Sequence, residues 1–171
     1  MTFGAFGGRT DIMKHFDARQ PNEFPHAGTF NNNVLTMSAG IAGMSLYTPE
    51  VAKQHNARGD RLRERLNQLM NRKGLNIQFT GIGSILNVHM HSEPIRTPTD
   101  AAKTDMNLRE LFFFDLMAQG IWLARRGMIV LSLPITDADC DQFIAAVENV
   151  VNMRRSLLTA QAECTASPVK F

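Results

Sequence analysis

The chain has few cysteines, little net charge and no long apolar run, and each shortage closes off a class of protein. Cys140 and Cys164 are the two thiols in 171 residues, and they form no CxxC pair. That count gives neither a disulfide framework nor a zinc ribbon, and it fits two unpaired thiols in a reducing compartment. The 18 basic and 16 acidic residues leave a formal net charge of +2, and basic clusters such as Arg61-Leu62-Arg63 are interleaved with acids. Such a balance does not call for nucleic acid or an anionic membrane surface. No apolar stretch approaches the roughly 18–20 residues needed to cross a bilayer, and the first residues lack a charged segment followed by an apolar one. A soluble, cytoplasmic protein is expected, with enough chain for one compact domain or for the end of a larger one.

What is present centres on residues 26–47, HAGTFNNNVLTMSAGIAGMSLY. Asparagine competes with its own backbone for hydrogen bonds, so Asn31-Asn32-Asn33 belongs to a turn before a helix and not inside one. From Val34 the apolar residues Leu35, Met37, Ile41, Met44 and Leu46 alternate with Ala39, Gly40, Ala42 and Gly43. That composition predicts a helix with almost no polar face, lying close to its neighbours. Ahead of it, Phe3-Gly4-Ala5-Phe6-Gly7-Gly8 reads as a short strand that must pair with something to satisfy its backbone. Its position implies that a longer protein has lost what comes before it. Thr10-Asp11 is expected to cap a short helix over Ile12 to Phe16.

Thr48-Pro49-Glu50 starts another helix, with Val51, His55, Arg58, Leu62, Leu66 and Leu69 on one stripe and Gly74 at its end. About 24 helical residues measure roughly 36 Å, enough to link two subdomains. Leu75, Ile77 and Phe79 alternate as a strand, Gly81 and Gly83 supply a reversal, and Ile85 to His91 alternate again. Residues 92–106 read as a polar loop before a helix around Leu108 to Leu116, which Gly120 closes. Strands are expected at Ile121-Trp122-Leu123 and Met128 to Leu131, on either side of Arg125-Arg126-Gly127. Thr136 and Asp139 form a capping box for a last helix with Phe143, Ile144, Val147, Val150 and Val151 on its buried stripe. The polar tail from Thr159 is expected to fray.

Several constellations invite a sharper reading than they support. His89 and His91 share one face of a strand, but a zinc or copper site needs further ligands that nothing in the sequence brings near. Thr80 to Ser84 is glycine-rich, yet it joins two strands and has no helix to supply a dipole to a phosphate. The run Leu111-Phe112-Phe113-Phe114 is too apolar for one buried stripe, so the helix is buried on two sides or one phenylalanine faces a partner.

Taken in order, FGAFGGR, HAGTFNNN, FTGIGSILNVH and RRGMIVLSLPITDADCDQFIAAV resemble the C-terminal part of class III pyridoxal-phosphate (PLP) aminotransferases. The resemblance covers nearly the whole chain and is to the branch of glutamate-1-semialdehyde aminomutase and the β-amino-acid transaminases. It implies an α/β and α+β fold class, the C-terminal part of a type I PLP-transferase fold: the end of the large domain plus the small C-terminal α+β domain. The implied organisation is a large-domain remnant with interface turn and helix at 1–48, a linker helix at 49–74, the small domain at 75–158 and a flexible tail at 159–171. The implied partner is a second copy, since the family's active sites lie at a dimer interface.

By the same resemblance, Gly28 and Thr29 correspond to the turn that reaches the PLP phosphate of the neighbouring subunit. The alternative is that Thr29 only closes a turn. Arg126 resembles the arginine near the substrate carboxylate, with Arg125 as an equally placed competitor; a guanidinium can hold a carboxylate by two parallel bonds. The lysine that holds the cofactor and the acid beside its ring nitrogen lie upstream of GAFGGR in the family. Lys14, Lys53, Lys73, Lys103 and Lys170 all fall at polar positions, unlike the buried setting that lowers a lysine's pKa. No catalytic residue and no metal ligand is therefore assigned. The chain is expected to be an inactive fragment of an amino-acid and keto-acid enzyme, with weak or absent PLP binding. The rival expectation is a non-catalytic oligomerisation or interaction module derived from that fold.

Overall fold

The computed structural model describes residues 3–31 and 33–159, and the chain divides between Ala52 and Lys53 into two compact units.

In the first unit, residues 3–9 form no regular structure, so the strand expected at Phe3 to Gly8 is not formed. A strand satisfies its amides only against a neighbour, and no strand is found among the described residues of this unit. Helix α1 (Thr10–Met13) passes into a 3-10 turn at Lys14–Phe16. Thr10 is already helical and Arg9 precedes it without a side-chain cap; Asp11 instead takes the Arg9 guanidinium at 3.0 and 2.5 Å. Helix α2 (Val34–Leu46) begins where the asparagines predict, with the Asn33 side chain accepting from the Thr36 amide at 3.1 Å. Its small residues serve one close approach: a methyl group on Gly40 would lie 3.0 Å from the Phe3 ring. Gly40 is the buried residue of α2, whereas Val34, Leu35, Ile41 and Leu46 are all more than two-thirds exposed.

Helix α3 (Pro49–Lys73) runs from the first unit into the second, and Gly74, at φ +63°, ends it. It buries His55, Gly59, Leu62, Leu66, Leu69 and Met70. From Lys53 onward the helix belongs to the second unit, and Leu62, Leu66, Leu69 and Met70 are part of its core. Strands β1 (Gln78–Ile82) and β2 (Ile85–His89) form the expected hairpin, with Phe79 opposite Val88, and β3 (Met128–Val130) adds antiparallel to β2. Helix α5 (Met106–Ala118) and helix α6 (Asp137–Met153) complete the core with Phe112, Leu116, Phe143, Val147 and Val150.

The hydrophilic side of α3 clamps the hairpin. Asn67 donates to the Phe79 carbonyl and accepts from the Phe79 amide, both at 2.8 Å, and Arg63 donates to the Gly81 carbonyl at 2.6 Å. Asp60 and Asn56 accept from the amides of Gly83 and Ser84 at 3.1 and 3.2 Å. The edge of β1 thus spends its backbone groups on side chains of the same unit. Arg58 and Arg65 pair with Asp137 and Asp141 at 2.9 and 2.6 Å, fastening α3 to the start of α6.

Two expectations in this unit are corrected. The loop over 92–106 contains helix α4 (Pro98–Ala102), closed by a capping box in which the Thr97 hydroxyl and the Asp100 carboxylate accept each other's amides. Ile121 to Leu123 is not a strand; it follows the reversal at Gly120, φ +79°, and packs by side chains, Leu123 being buried. The capping box at Thr136 and Asp139 is present as expected. Beyond Thr159 the expected tail, with Cys164 and Lys170, lies outside the described residues.

Candidate functional site

The turn before α2 is a hydrogen-bonded reversal in which the Asn31 amide donates to the Gly28 carbonyl at 3.0 Å, so Thr29 and Phe30 are its two central residues. A methyl group on Gly28 would come within 2.9 Å of Asn31 Oδ1, the end of an exposed side chain. The Thr29 side chain is exposed, and among the described residues neither its hydroxyl nor its amide has a hydrogen-bond partner. An exposed hydroxyl and an open amide beside a glycine are donors that suit a phosphate. The turn is anchored by aromatic packing: His26 lies 5.0 Å from the Phe6 ring and 6.5 Å from that of Phe16, and Phe24 stacks on His15 at 5.3 Å. Sequence reading does not anticipate this cluster, because its members are spaced without period. Asn32 lies outside the described residues.

In the second unit, Arg126 borders an open cavity of about 490 Å³ lined also by Met106, Arg109, Glu110 and Arg125. The sequence leaves Arg125 and Arg126 as equals; the structure separates them. Arg125 is ion-paired with Glu110 and lies over the Phe114 ring at 5.7 Å, so its charge is already answered. Arg126 is exposed, and its guanidinium contacts the Met128 sulfur at 3.6 Å, a weak acceptor. Gly127, at φ +88°, follows it. The phenylalanine run resolves in the same place: Phe112 and Phe113 are buried, and Phe114 is exposed beneath Arg125.

The histidine pair gains no third metal-ligating side chain among the described residues. His89 Nε2 and the Thr80 hydroxyl lie 2.9 Å apart across the hairpin, and burial, with the neighbouring charge of Arg109, pushes the His89 pKa down. His91 lies past the end of β2, and among the described residues no group of three metal-ligating side chains occurs. Cys140 borders a separate apolar cavity of about 290 Å³, and burial raises its thiol pKa, which keeps it protonated and a poor nucleophile. Among the described residues no helix is long and apolar enough to cross a membrane.

The fold and the sequence together match the C-terminal portion of class III aminotransferases. Within that class the chain is homologous to the branch of β-amino-acid transaminases and glutamate-1-semialdehyde aminomutases. It is 48% identical over 159 residues to a β-phenylalanine transaminase of Variovorax paradoxus, covering 92% of this chain and 36% of the relative. It is 30% identical over 154 residues to glutamate-1-semialdehyde 2,1-aminomutase 2 of Bacillus pumilus, covering 89% of this chain and 35% of the relative. The crystal structure of the β-phenylalanine aminotransferase from Variovorax paradoxus superposes with a TM-score of 0.81 at 47% identity, over 89% of this chain and 35% of that one. The chain thus spans about a third of the length of these relatives. No protein-family model matches it.

Proposed function

We propose that the chain supplies the C-terminal part of a cytoplasmic, dimeric aminotransferase or aminomutase acting on an amino acid and a keto acid. The relatives' names point to a β-amino acid or glutamate-1-semialdehyde as its substrate. In this reading Thr29 donates from its hydroxyl and amide to the phosphate of PLP held by the other subunit, and Gly28 leaves room for that approach. PLP, when bound, supplies an electron sink for the carbon that bears the amino group. Arg126 takes the substrate carboxylate with two parallel N–H donors, fixing orientation as well as charge. The observation that carries the reading is the contrast between neighbours: Arg125 is neutralised by Glu110, and Arg126 is left uncompensated at a cavity.

The chain's own lysines support a further part of the proposal, that it does not turn over alone. Lys14 and Lys53 are exposed, and Lys73 and Lys103 are paired with Glu148 and Glu93 at 2.8 and 3.2 Å. A lysine that holds PLP covalently must lose its proton readily, which ion pairing and full hydration oppose. The test is a PLP titration followed by visible absorbance, with borohydride reduction and mass analysis. The expected result is weak or no binding, no reduced adduct on these four lysines, and no amino transfer; turnover with an amino donor and a keto acceptor would refute it. The exposed apolar face of α2 favours a second reading, a module retained for oligomerisation alone. Stable self-association of a chain in which neither PLP nor a carboxylate binds would select that one.

A further inference from the structure

The cavity beside Arg126 holds a second arginine whose charge is equally unanswered. Arg109, on the first turns of α5, is half-buried, and its guanidinium contacts the Met106 sulfur at 2.9 Å. A thioether is a weak acceptor and carries no charge. Among the described residues neither Arg109 nor Arg126 is ion-paired, whereas Arg125 is. The three arginines and one glutamate that line the cavity therefore leave two positive charges, and both sit on side chains with sulfur contacts only.

Their convergence is built into the backbone. A methyl group on Gly127 would lie 3.0 Å from Cδ of Arg109 and 3.0 Å from the Val88 carbonyl, with Asn87 Oδ1 at 2.8 Å. The bare Cα of Gly127 is thus the surface over which the Arg109 stem crosses, immediately beside Arg126. With a side chain at 127, the stem and the β2 backbone could not both keep their places. His89, which lies within the field of Arg109, adds no charge of its own near neutral pH because its pKa is pushed down.

We propose that Arg109 is a second specificity-determining residue, which binds the substrate carboxylate together with Arg126 and is aimed at it by Gly127. The inference rests on the reading of Arg126 as a carboxylate ligand. Two guanidiniums on one carboxylate offer more N–H donors than its two oxygens require, so orientation is fixed from two directions. They also exclude neutral isosteres, since an uncharged ligand would leave two positive charges facing each other.

The test is a titration of the chain with 3-phenylpropanoate, observed by changes in amide resonances, with the neutral 3-phenylpropanamide for comparison. Arg126→Ala and Arg109→Met are each expected to weaken binding of the acid at least fivefold. Methionine keeps the stem over Gly127 and removes only the charge. The double variant Arg65→Ala with Asp141→Asn deletes an ion pair that does not line the cavity and is expected to stay within twofold of the unaltered chain. Arg109→Lys, which restores charge without the fork, is expected to recover part of the loss. If Arg126→Ala weakens binding and Arg109→Met does not, this inference fails and the role of Arg126 stands. If Arg109→Met weakens binding and Arg126→Ala does not, Arg109 is retained and the proposed role of Arg126 falls. If neither weakens binding, if acid and amide bind alike, or if the unaltered chain shows no saturable binding, both fall.

Discussion

Replacing Gly59 by alanine tests how tightly α3 is set against the hairpin. Alanine in a helix interior gains about 1 kcal/mol over glycine from propensity alone, so a fold in which Gly59 met nothing would become more stable. Here the added methyl would lie 2.0 Å from the Gly83 carbonyl oxygen and 2.6 Å from its carbon. A carbon-to-carbonyl contact needs about 3.3 Å, so the turn and the helix must part by about 1.3 Å. Both partners are backbone, and neither can rotate aside. Overpacking of this kind costs up to about 3 kcal/mol. The separation also stretches the bonds from Gly83 and Ser84 to Asp60 and Asn56, each with a net value of about 1 kcal/mol. The net expectation is a loss of about 3 kcal/mol, read as a lower urea midpoint by circular dichroism. Gly43→Ala is the companion, because its methyl would meet the Phe3 ring at an ordinary 3.7 Å; it is expected to be neutral or stabilising by up to about 1 kcal/mol. An unchanged or raised midpoint for Gly59→Ala would refute the reasoning.

Three further expectations follow from burial, charge and exposure. Leu66 is completely buried, so Leu66→Ala should destabilise by about 3 kcal/mol, whereas Leu35→Ala on the exposed face of α2 should change the chemical-denaturation midpoint little. His89 has a folded pKa below its unfolded value of about 6.5. The unfolded chain therefore binds a proton first, and stability present above that value should fall as the pH drops through it and down to the folded pKa. His89→Gln should flatten this part of the pH–stability curve measured by thermal melts, and an unchanged slope would rule out His89 as its source. Ile41→Lys on α2 should reduce self-association in size-exclusion chromatography, and an elution volume identical to that of the parent would count against α2 as the contact.

Much of this architecture was legible because its signals are local. The asparagine run announces α2, Thr136 with Asp139 announces α6, and Gly81 and Gly83 announce the hairpin. Helix α4 carries the same threonine-and-aspartate signature at Thr97 and Asp100, with Pro98 at its first position, but the prolines around it read as loop. The long-range facts were not legible. Gly59 is a weak spot in a helix until Gly83 is brought against it, and Arg125 is Arg126's equal until Glu110, fifteen residues upstream, closes on it. The strand expected at Phe3 to Gly8 shows the converse: its pattern is clear, but the neighbour that a ladder needs is not among the described residues.

The clamp of Asn67, Arg63, Asp60 and Asn56 on β1 also decides how this sheet can meet other chains. An open strand edge is a template that accepts any extended peptide, and it is a common start for misassembly. Both backbone groups of Phe79 are held by Asn67 and the Gly81 carbonyl by Arg63, so most of that edge is already spent. Strand addition at this end of the sheet would first have to displace those side chains, whereas β3, at the other edge, carries no such clamp among the described residues.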